Sequence, residues 1–179
     1  MKPIPIDTNV KRAIIFGAGR IAEALMPILA CVGFRVWIFD NDPEAAKEER
    51  FLQADRVLCG NYRRLPDYLE LTQDDFLVVL TPRHAFDYDV QLQVLRGDCG
   101  DFGYLGVISA RGKVPETKAR LRADGIMDAQ LDRIHSPIGT PIRAVSPEEI
   151  AVSIAGEMIL ERTIMREGEQ EAHHKCPMK

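Results

Sequence analysis

A glycine-rich turn near the start of the chain constrains its fold more strongly than any other feature. The segment Phe16–Ala22, FGAGRIA, follows a short apolar run and opens a helical pattern. Twenty-three residues after Gly17, Asp40 ends a second apolar run that begins at Arg35. A glycine turn between a strand and a helix, with an acidic residue at the end of the next strand, is typical of a βαβ unit that binds a dinucleotide.

Each position of this turn has a physical role in that interpretation. Gly17 permits the tight turn, Gly19 lets the backbone approach a pyrophosphate, and Ala22 keeps the helix close to the strand. The helix N-terminus then offers unpaired N–H groups and the positive end of its dipole to the phosphate. The predicted cofactor-binding residues of the loop are Gly17, Ala18, Gly19, Arg20, Ile21 and Ala22.

Asp40 is predicted to contact the ribose of the ligand. A carboxylate at this place favours a ribose hydroxyl over a 2′-phosphate, and no arginine follows it to favour NADP. The residues alone therefore predict a phosphate-bearing ligand of the NAD(P) type, with NAD favoured. They do not show whether that ligand is a redox reagent.

Strand and helix patterns alternate along the whole chain, which indicates a parallel sheet with helices on both faces. The predicted strands are 13–16, 35–39, 56–58, 76–80 and 104–108. The predicted helices are 20–32, one that starts at Asp42-Pro43, 85–96, 114–124 and 150–164, the last behind a capping box at Ser146–Glu149. The predicted fold is therefore α/β, Rossmann-like and three-layered, with a mainly parallel sheet of about five or six strands.

Length and composition predict one globular domain. The 179 residues suffice for a single core, with 1–10 as an N-terminal extension, 11–166 as the domain and 167–179 as a disordered tail. A net charge of −4 argues against nucleic-acid or membrane binding. Without a signal peptide or a long apolar run, the chain is expected to be cytoplasmic. Its four cysteines stand far apart, so no metal site is predicted.

Polar residues follow several of the predicted strands, and in a parallel sheet these positions meet in one crevice. The further candidates for cofactor binding are Thr81, Arg83, His84, Ser109, Arg111, His135 and Gly139. Together with Arg20 and Lys113, the arginines of this set predict a basic mouth that suits an anionic ligand.

His84 and His135 are the candidates for an acid or base, if the protein is a catalyst. The alternatives are that His84 merely lies near a helix start and that His135 fixes a loop by hydrogen bonding. The segment His135–Gly139 shows no periodicity and is predicted to be a loop over the crevice. Arg111 is equally consistent with a solvent-exposed residue at a helix start and with a residue that binds the ligand.

The last predicted helix is apolar around most of its circumference, which indicates packing on two sides. One side is expected to face the sheet. The other is expected to face either a second copy of the chain, which would make a homodimer, or the end of the core.

Longer motifs occur in a fixed order and make a resemblance recognisable. They are GAGRIA at 17–22, TPRHAFDYD at 81–89, YLGVIS at 104–109, HSPIG at 135–139 and PEEIAVSI at 147–154. The set resembles the C-terminal Rossmann domain of the XdhC/CoxI family, the accessory proteins of molybdenum hydroxylases such as xanthine dehydrogenase. The resemblance spans residues 11 to about 162, and the chain looks like a stand-alone version without the usual N-terminal domain.

The resemblance implies a role in enzyme maturation. Such proteins bind the molybdenum cofactor, protect it while its terminal sulfido ligand is installed, and deliver it to the apoenzyme. The implied partners are a molybdenum hydroxylase apoenzyme, a cysteine desulfurase and a separate protein that carries the N-terminal domain. The family therefore implies a cofactor-binding accessory protein and chaperone more than a catalyst.

Two other functions stay open on the residues alone. A small NAD-dependent oxidoreductase is supported by the glycine loop and Asp40, but the chain has no Tyr-x-x-x-Lys pair to serve as its acid–base group. A nucleotide-sensing binding module without enzymatic activity is the other alternative, in which the apolar last helix docks on a partner.

Overall fold

The structure, a computed structural model, describes residues 10–174, except for the side chains of residues 84, 85, 111 and 169–174. It contains a six-stranded sheet in the order β3-β2-β1-β4-β5-β6, and every neighbouring pair is parallel. The strands are β1 Arg12–Phe16, β2 Arg35–Asp40, β3 Arg56–Cys59, β4 Asp75–Val79, β5 Tyr104–Val107 and β6 Ile134–His135. The predicted α/β Rossmann-like fold is confirmed, since this strand order is the doubly wound order of dinucleotide-binding domains.

Five α-helices connect and cover the strands. They are α1 Arg20–Cys31, α2 His84–Arg96, α3 Val114–Ala123, α4 Asp128–Leu131 and α5 Pro147–His174. Short 3-10 turns lie at Glu48–Arg50, Leu65–Asp67 and Arg111–Lys113. Helices α1 and α5 pack side by side. The buried side chains of these two helices form one core with one face of the sheet, and those of α2, α3 and α4 form a second core with the other face.

Strand β1 shows why the sheet must be covered on both sides. Ile14 and Phe16 belong to the α2 side of the molecule, whereas Ala13 and Ile15 belong to the α1 side. All four are fully buried. Because successive side chains of a strand point to opposite faces, a continuous apolar run needs a helical layer on each face. The three layers follow from that requirement.

The prediction of a helix that starts at Asp42-Pro43 is wrong. The segment forms turns instead, with the Asp42 side chain accepting the Glu44 N–H at 2.9 Å, and its regular part is the 3-10 turn Glu48–Arg50. Of its apolar side chains, Phe51 is the one that is fully buried. A single anchor gives no apolar stripe, so nothing stabilises a longer helix here.

The predicted loop at His135–Gly139 is also corrected, because His135 belongs to strand β6. Its backbone pairs in parallel with Gly106 of β5. A strand of two residues is too short to show a period in the sequence, which is why the pattern indicated a loop.

Helix α5 extends to His174, so residues 167–174, assigned above to a tail, are helical. Its 28 residues include charged side chains along the whole length. Among the helices described within residues 10–174, none combines the length and apolar character needed to cross a membrane.

Candidate phosphate-binding crevice

A crevice lies at the carboxyl ends of β1, β2 and β4. The chain leaves β1 and β4 toward opposite edges of the sheet, and such a switch point is where doubly wound sheets bind ligands. Its volume is about 490 Å³. The residues that line it are Ala18, Gly19, Asp40, Asn41, Asp42, Ala45, Leu80, Pro82, Arg83 and Phe86.

Gly17 is required by the path of the backbone. Its φ of 107° lies in the region that favours glycine. A Cβ at this position would stand 2.4 Å from the Leu80 carbonyl oxygen, which belongs to the backbone and cannot rotate away. Its N–H donates to the Phe39 carbonyl at 2.8 Å, so the turn is tied to β2 and pressed against the end of β4.

Gly19 opens the site toward the crevice. It is the N-cap residue of α1 and has no side chain with which to cap the first-turn N–H groups. A Cβ at Gly19 would meet no described atom within 4 Å. Backbone N–H groups at a helix start, beneath open space, form a ready site for an anion.

Asp40 holds the loop from the β2 side. Its Oδ2 accepts the Ala18 N–H at 2.7 Å and its Oδ1 accepts the Asp42 N–H at 3.0 Å. The residue is only 3% exposed. Both carboxylate oxygens are therefore engaged by backbone amides, and Asp40 acts first as a brace of the loop.

Arg50 holds the loop from the other side. Its Nη2 donates to the Ala18 carbonyl at 2.9 Å, and its Nη1 donates to the Ala45 carbonyl at 2.5 Å. It also pairs with Glu23 in the first turn of α1, at 2.8 Å. Sequence reasoning missed Arg50, because the helix predicted there would have carried it away from the loop and no local motif marks it.

The segment after β4 is stabilised internally. The Asp87 Oδ1 accepts the Thr81 N–H at 3.1 Å and the Thr81 hydroxyl at 2.5 Å. Thr81 is buried, whereas Arg83 is exposed and lines the crevice. Thr81 therefore shapes the loop, and Arg83 is the cation that this loop presents. Asp87 was not among the predicted site residues, although an acidic residue in the first turn, as Asp87 is in α2, is typical of a helix start.

Two other basic residues predicted for the mouth of the crevice, Arg20 and Lys113, are not among its lining residues. Arg20 is exposed beside the start of α5, where its charge adds to the backbone amide and the Ser146 hydroxyl in lowering the pKa of Glu148. Lys113 is exposed at the start of α3. The side chains of His84 and Arg111 lie outside the described part of the structure.

Ser109 lies on the other side of the loop that follows β4. It lines a narrow cavity of about 30 Å³ between β5, β6 and helices α2 and α3. Two buried polar side chains, Asp87 and Gln91, line the same space. Ser109 does not line the crevice that contains Gly19 and Asp40.

His135 and Gly139 do not line the crevice; they join β6 to helix α5. The ring centroid of His135 lies 4.7 Å from that of buried Tyr104, and its Nδ1 stands 3.4 Å from the Glu157 carboxylate. Glu157 also accepts the Tyr104 hydroxyl at 2.6 Å and the Gly139 N–H at 2.7 Å. We call Tyr104, His135, Gly139 and Glu157 the Glu157 cluster.

Charge within the Glu157 cluster is mutually stabilised. The hydrogen bond to Glu157 raises the pKa of His135 despite partial burial, and the charge of Glu161 adds to the rise. Burial by itself would raise the pKa of Glu157, but hydrogen bonds from His135, Tyr104 and Gly139 outweigh it and the pKa is lowered. These contacts are of the kind expected if His135 fixes the local structure by hydrogen bonding, which was the alternative to a role as acid or base.

Of the predicted site residues, the structure therefore brings the glycine loop, Asp40 and Arg83 together. Thr81 shapes the loop that carries Arg83. Ser109, His135 and Gly139 do not line the same crevice. Asn41, Asp42 and Phe86 complete the lining, and the rule that ligands bind at strand ends could have indicated Asn41 and Asp42 from the sequence.

Comparison with known proteins identifies the family. The model of the XdhC Rossmann domain matches residues 13–158. The chain is similar to the uncharacterized protein YqeB of Escherichia coli (strain K12), with 26% identity over 152 residues, which cover 83% of this chain and 27% of YqeB. It is also similar to a probable xanthine dehydrogenase subunit of Bacillus subtilis (strain 168), with 28% identity over 151 residues, 84% of this chain and 43% of that protein.

A solved structure agrees with these matches. A crystal structure of a xanthine dehydrogenase from Bacillus halodurans superposes with a TM-score of 0.74 at 27% identity, over 86% of this chain and 43% of that one. The chain thus spans less than half the length of these relatives. The resemblance inferred from the ordered motifs is confirmed. The chain belongs to the XdhC family, whose Rossmann domain makes up most of it.

Proposed function

We propose that this Rossmann domain holds a phosphate-bearing cofactor in the crevice and serves as an accessory in the maturation of a molybdenum hydroxylase of the xanthine dehydrogenase type. The observation that carries the proposal is the braced glycine loop, in which Gly19 leaves open space in front of the α1 N-terminus. Two relatives whose names refer to xanthine dehydrogenase support the enzyme class.

The molybdenum cofactor fits this site through its phosphate. The first-turn amides of α1, beginning at Gly19, would hold that group, and Arg83 across the crevice would add a positive charge. When bound, the cofactor supplies the molybdenum with its sulfido ligand that the target enzyme needs. The protein's own contribution is to bind the phosphate and to present or enclose the remainder of the cofactor.

NAD is the competing ligand, and an NAD-dependent oxidoreductase is the second candidate function. The strand order and the place of Asp40 at the end of β2 favour it. However, Asp40 is buried and already accepts two backbone N–H groups, from Ala18 and Asp42. A ribose hydroxyl would have to share an occupied carboxylate, which favours a ligand bound mainly through phosphate.

The proposed partners follow from the same family role. A molybdenum hydroxylase apoenzyme would receive the cofactor, and a cysteine desulfurase would supply sulfur for its sulfido ligand. A separate protein that carries the N-terminal domain of the family is a third proposed partner. A homodimer through α5 is proposed as well, since Val152, Leu160 and Ile164 are about half exposed on that helix.

The test is retention of the cofactor by the purified chain. The protein is incubated without oxygen with molybdenum cofactor, and in parallel with NAD⁺, and each mixture is separated by gel filtration. We expect the molybdenum cofactor to elute with the protein and to restore activity when the fraction is added to an apo-hydroxylase. Retention of NAD⁺ without retention of molybdenum cofactor would reject the proposal and favour the oxidoreductase.

A matched pair of variants links retention to the crevice. Gly19→Asp places a carboxylate in open space in front of the α1 N-terminus, where it should repel a phosphate. Gly168→Asp makes the same change where a Cβ likewise meets nothing within 4 Å, but at the opposite end of the sheet near Lys11 and Asp74. We expect Gly19→Asp to abolish retention and Gly168→Asp to leave it unchanged.

A further inference from the structure

Arg50 joins three segments around the glycine loop. Its guanidinium donates to the carbonyls of Ala18 and Ala45, and both its Nε and its Nη2 reach the same carboxylate oxygen of Glu23, at 3.0 and 2.8 Å. The loop, the first turn of α1 and the turn after β2 are thereby held by one side chain. Arg50 itself does not line the crevice.

These bonds determine which way the Ala18–Gly19 peptide faces. In a trans peptide the carbonyl and the following N–H point in opposite directions, and the cis bond among the described residues is Ser136–Pro137. Arg50, which does not line the crevice, donates to the Ala18 carbonyl, so the Gly19 N–H of the same peptide points away from the guanidinium. Since Ala18 and Gly19 both line the crevice, this N–H would face it.

Asp40 fixes the preceding peptide by accepting the Ala18 N–H. The Ala18 N–H is thus already used, while the Gly19 N–H is the donor that the loop offers to a ligand. If the Ala18–Gly19 peptide were rotated by half a turn, a carbonyl oxygen would face the crevice and repel a phosphate. The orientation of this one peptide therefore decides whether the site attracts an anion.

We propose that Arg50 is a positioning residue that keeps the Ala18–Gly19 peptide with its N–H toward the crevice, and so makes the site selective for phosphate-bearing ligands. The inference rests on the proposed function, because it assumes that the crevice binds phosphate. Arg50 acts through the loop and does not touch the ligand.

The role depends on the shape of the arginine more than on its charge. All three guanidinium nitrogens are used at once and together reach three acceptors, the carbonyls of Ala18 and Ala45 and the carboxylate of Glu23, which the single nitrogen of a lysine cannot reproduce. Glu23 lies against the guanidinium and offsets its charge, and the Arg50 side chain is 32% exposed, so water screens what remains. A lysine should thus preserve the charge and lose the function.

The test uses inorganic pyrophosphate as the probe and compares the full chain with Arg50→Lys and Arg50→Gln by isothermal titration calorimetry. We expect both variants to bind pyrophosphate roughly 10-fold to 100-fold more weakly, by analogy with the loss seen when a group that orients a metal ligand is removed. In ¹H–¹⁵N spectra, pyrophosphate should shift the Gly19 amide of the wild type, and the shift should be lost in Arg50→Lys.

Arg122 provides matched controls, since it is an exposed arginine on α3 that pairs with Asp128 away from the crevice. Arg122→Lys and Arg122→Gln should bind pyrophosphate like the wild type, and thermal unfolding verifies that every variant is folded. Wild-type affinity in Arg50→Lys would overturn the inference and leave only a role for charge. If the wild type itself binds no pyrophosphate, the phosphate-binding function fails, and the inference fails with it.

Discussion

The crevice and the Glu157 cluster both contain a glycine from a recognisable motif, and the two glycines serve opposite purposes. At Gly19 in the crevice, an added Cβ would meet open space. At Gly139 in the cluster, φ is 106° and a Cβ would lie 2.4 Å from the Ser153 hydroxyl oxygen. The first glycine leaves room for a ligand, whereas the second lets two parts of the protein meet.

The polar groups around the two glycines differ in the same way. The α1 N-terminus at Gly19 presents amide donors that the helix cannot satisfy internally. In the Glu157 cluster the corresponding amide is the N–H of Gly139, which donates to the Glu157 carboxylate. The same carboxylate accepts a hydrogen bond from the Tyr104 hydroxyl and pairs with the ring of His135. A motif distinctive of a family can therefore be a packing device, while a common glycine loop forms the candidate binding site.

The largest expected effect on stability is at Gly139. Gly139→Ala should lower the free energy of unfolding by about 3 kcal/mol, because it combines strain at positive φ with overpacking against Ser153. Ser153 cannot simply rotate away, since its hydroxyl donates to the Thr140 carbonyl at 2.7 Å. Urea unfolding measures the loss.

Gly19→Ala is the control for that variant, because the new methyl group meets no described atom within 4 Å. Its free energy of unfolding should stay within about 1 kcal/mol of the wild type, the range of alanine for glycine at an N-cap. Equal losses at the two positions would contradict the contrast between an open and a closed glycine.

The carboxylate of Glu157 should have the next largest effect. Glu157→Gln keeps the shape of the side chain but removes its negative charge, which strengthens the contacts with Tyr104, His135 and Gly139. Hydrogen bonds to a charged group contribute about 1.5–3 kcal/mol each, and the glutamine retains part of that, so we expect a loss of about 2 kcal/mol in the free energy of unfolding.

Glu161 is the matched control, since its carboxylate lies at 4.0 Å from the same His135 Nδ1 but forms a weaker contact. Glu161→Gln should change the free energy of unfolding by less than about 0.5 kcal/mol in urea titrations. A loss at Glu161 as large as that at Glu157 would mean that general charge, and not the hydrogen-bonded cluster, stabilises this region.

The smallest expected effect is a pH dependence confined to the Glu157 cluster. The pKa of His135 is raised in the folded protein, first by its hydrogen bond to Glu157. Its contribution is therefore fully present below the unfolded value of ~6.5 and is lost as the pH rises through the higher folded pKa. The pKa of Glu157 is lowered, so its contribution is lost only as the pH falls through that lowered pKa.

Unfolding of the wild type and of His135→Gln at a series of pH values tests this. The difference in stability should be largest between the lowered pKa of Glu157 and a pH of ~6.5, and should shrink as the pH rises from there through the folded pKa of His135. Gly19→Ala, which lies in the crevice, should show the same pH dependence as the wild type. A difference that grows with rising pH would contradict the assigned pairing.

Part of the candidate site could be predicted from the sequence because it is local. Gly17 and Gly19 share one turn, and Asp40 is brought to that turn by a single strand–helix–strand unit. Arg50 could not be predicted, since it reaches the Ala18 carbonyl from a segment that folds into turns and is separated from the loop by 32 residues. Its position depends on how that segment packs, which has no periodic pattern.

The β6–α5 junction was unpredictable for a related reason. His135 and Glu157 belong to elements that meet only when α5 packs on the sheet, and β6 has two residues. The sequence motif HSPIG indicated that the segment matters, but not that His135 would pair with Gly106 and face Glu157. Short-range patterns do not contain such long-range neighbours.

The sequence by itself determined the layers, the parallel sheet and the glycine loop proposed to bind a phosphate, because apolar periods and glycine turns act over a few residues. Tertiary structure alone decided that Asp40 and Arg50 brace the loop from opposite sides and that His135 and Gly139 stay in a separate cluster. The physical reason is that hydrogen bonds between distant segments depend on the packed arrangement of the whole sheet and its helices.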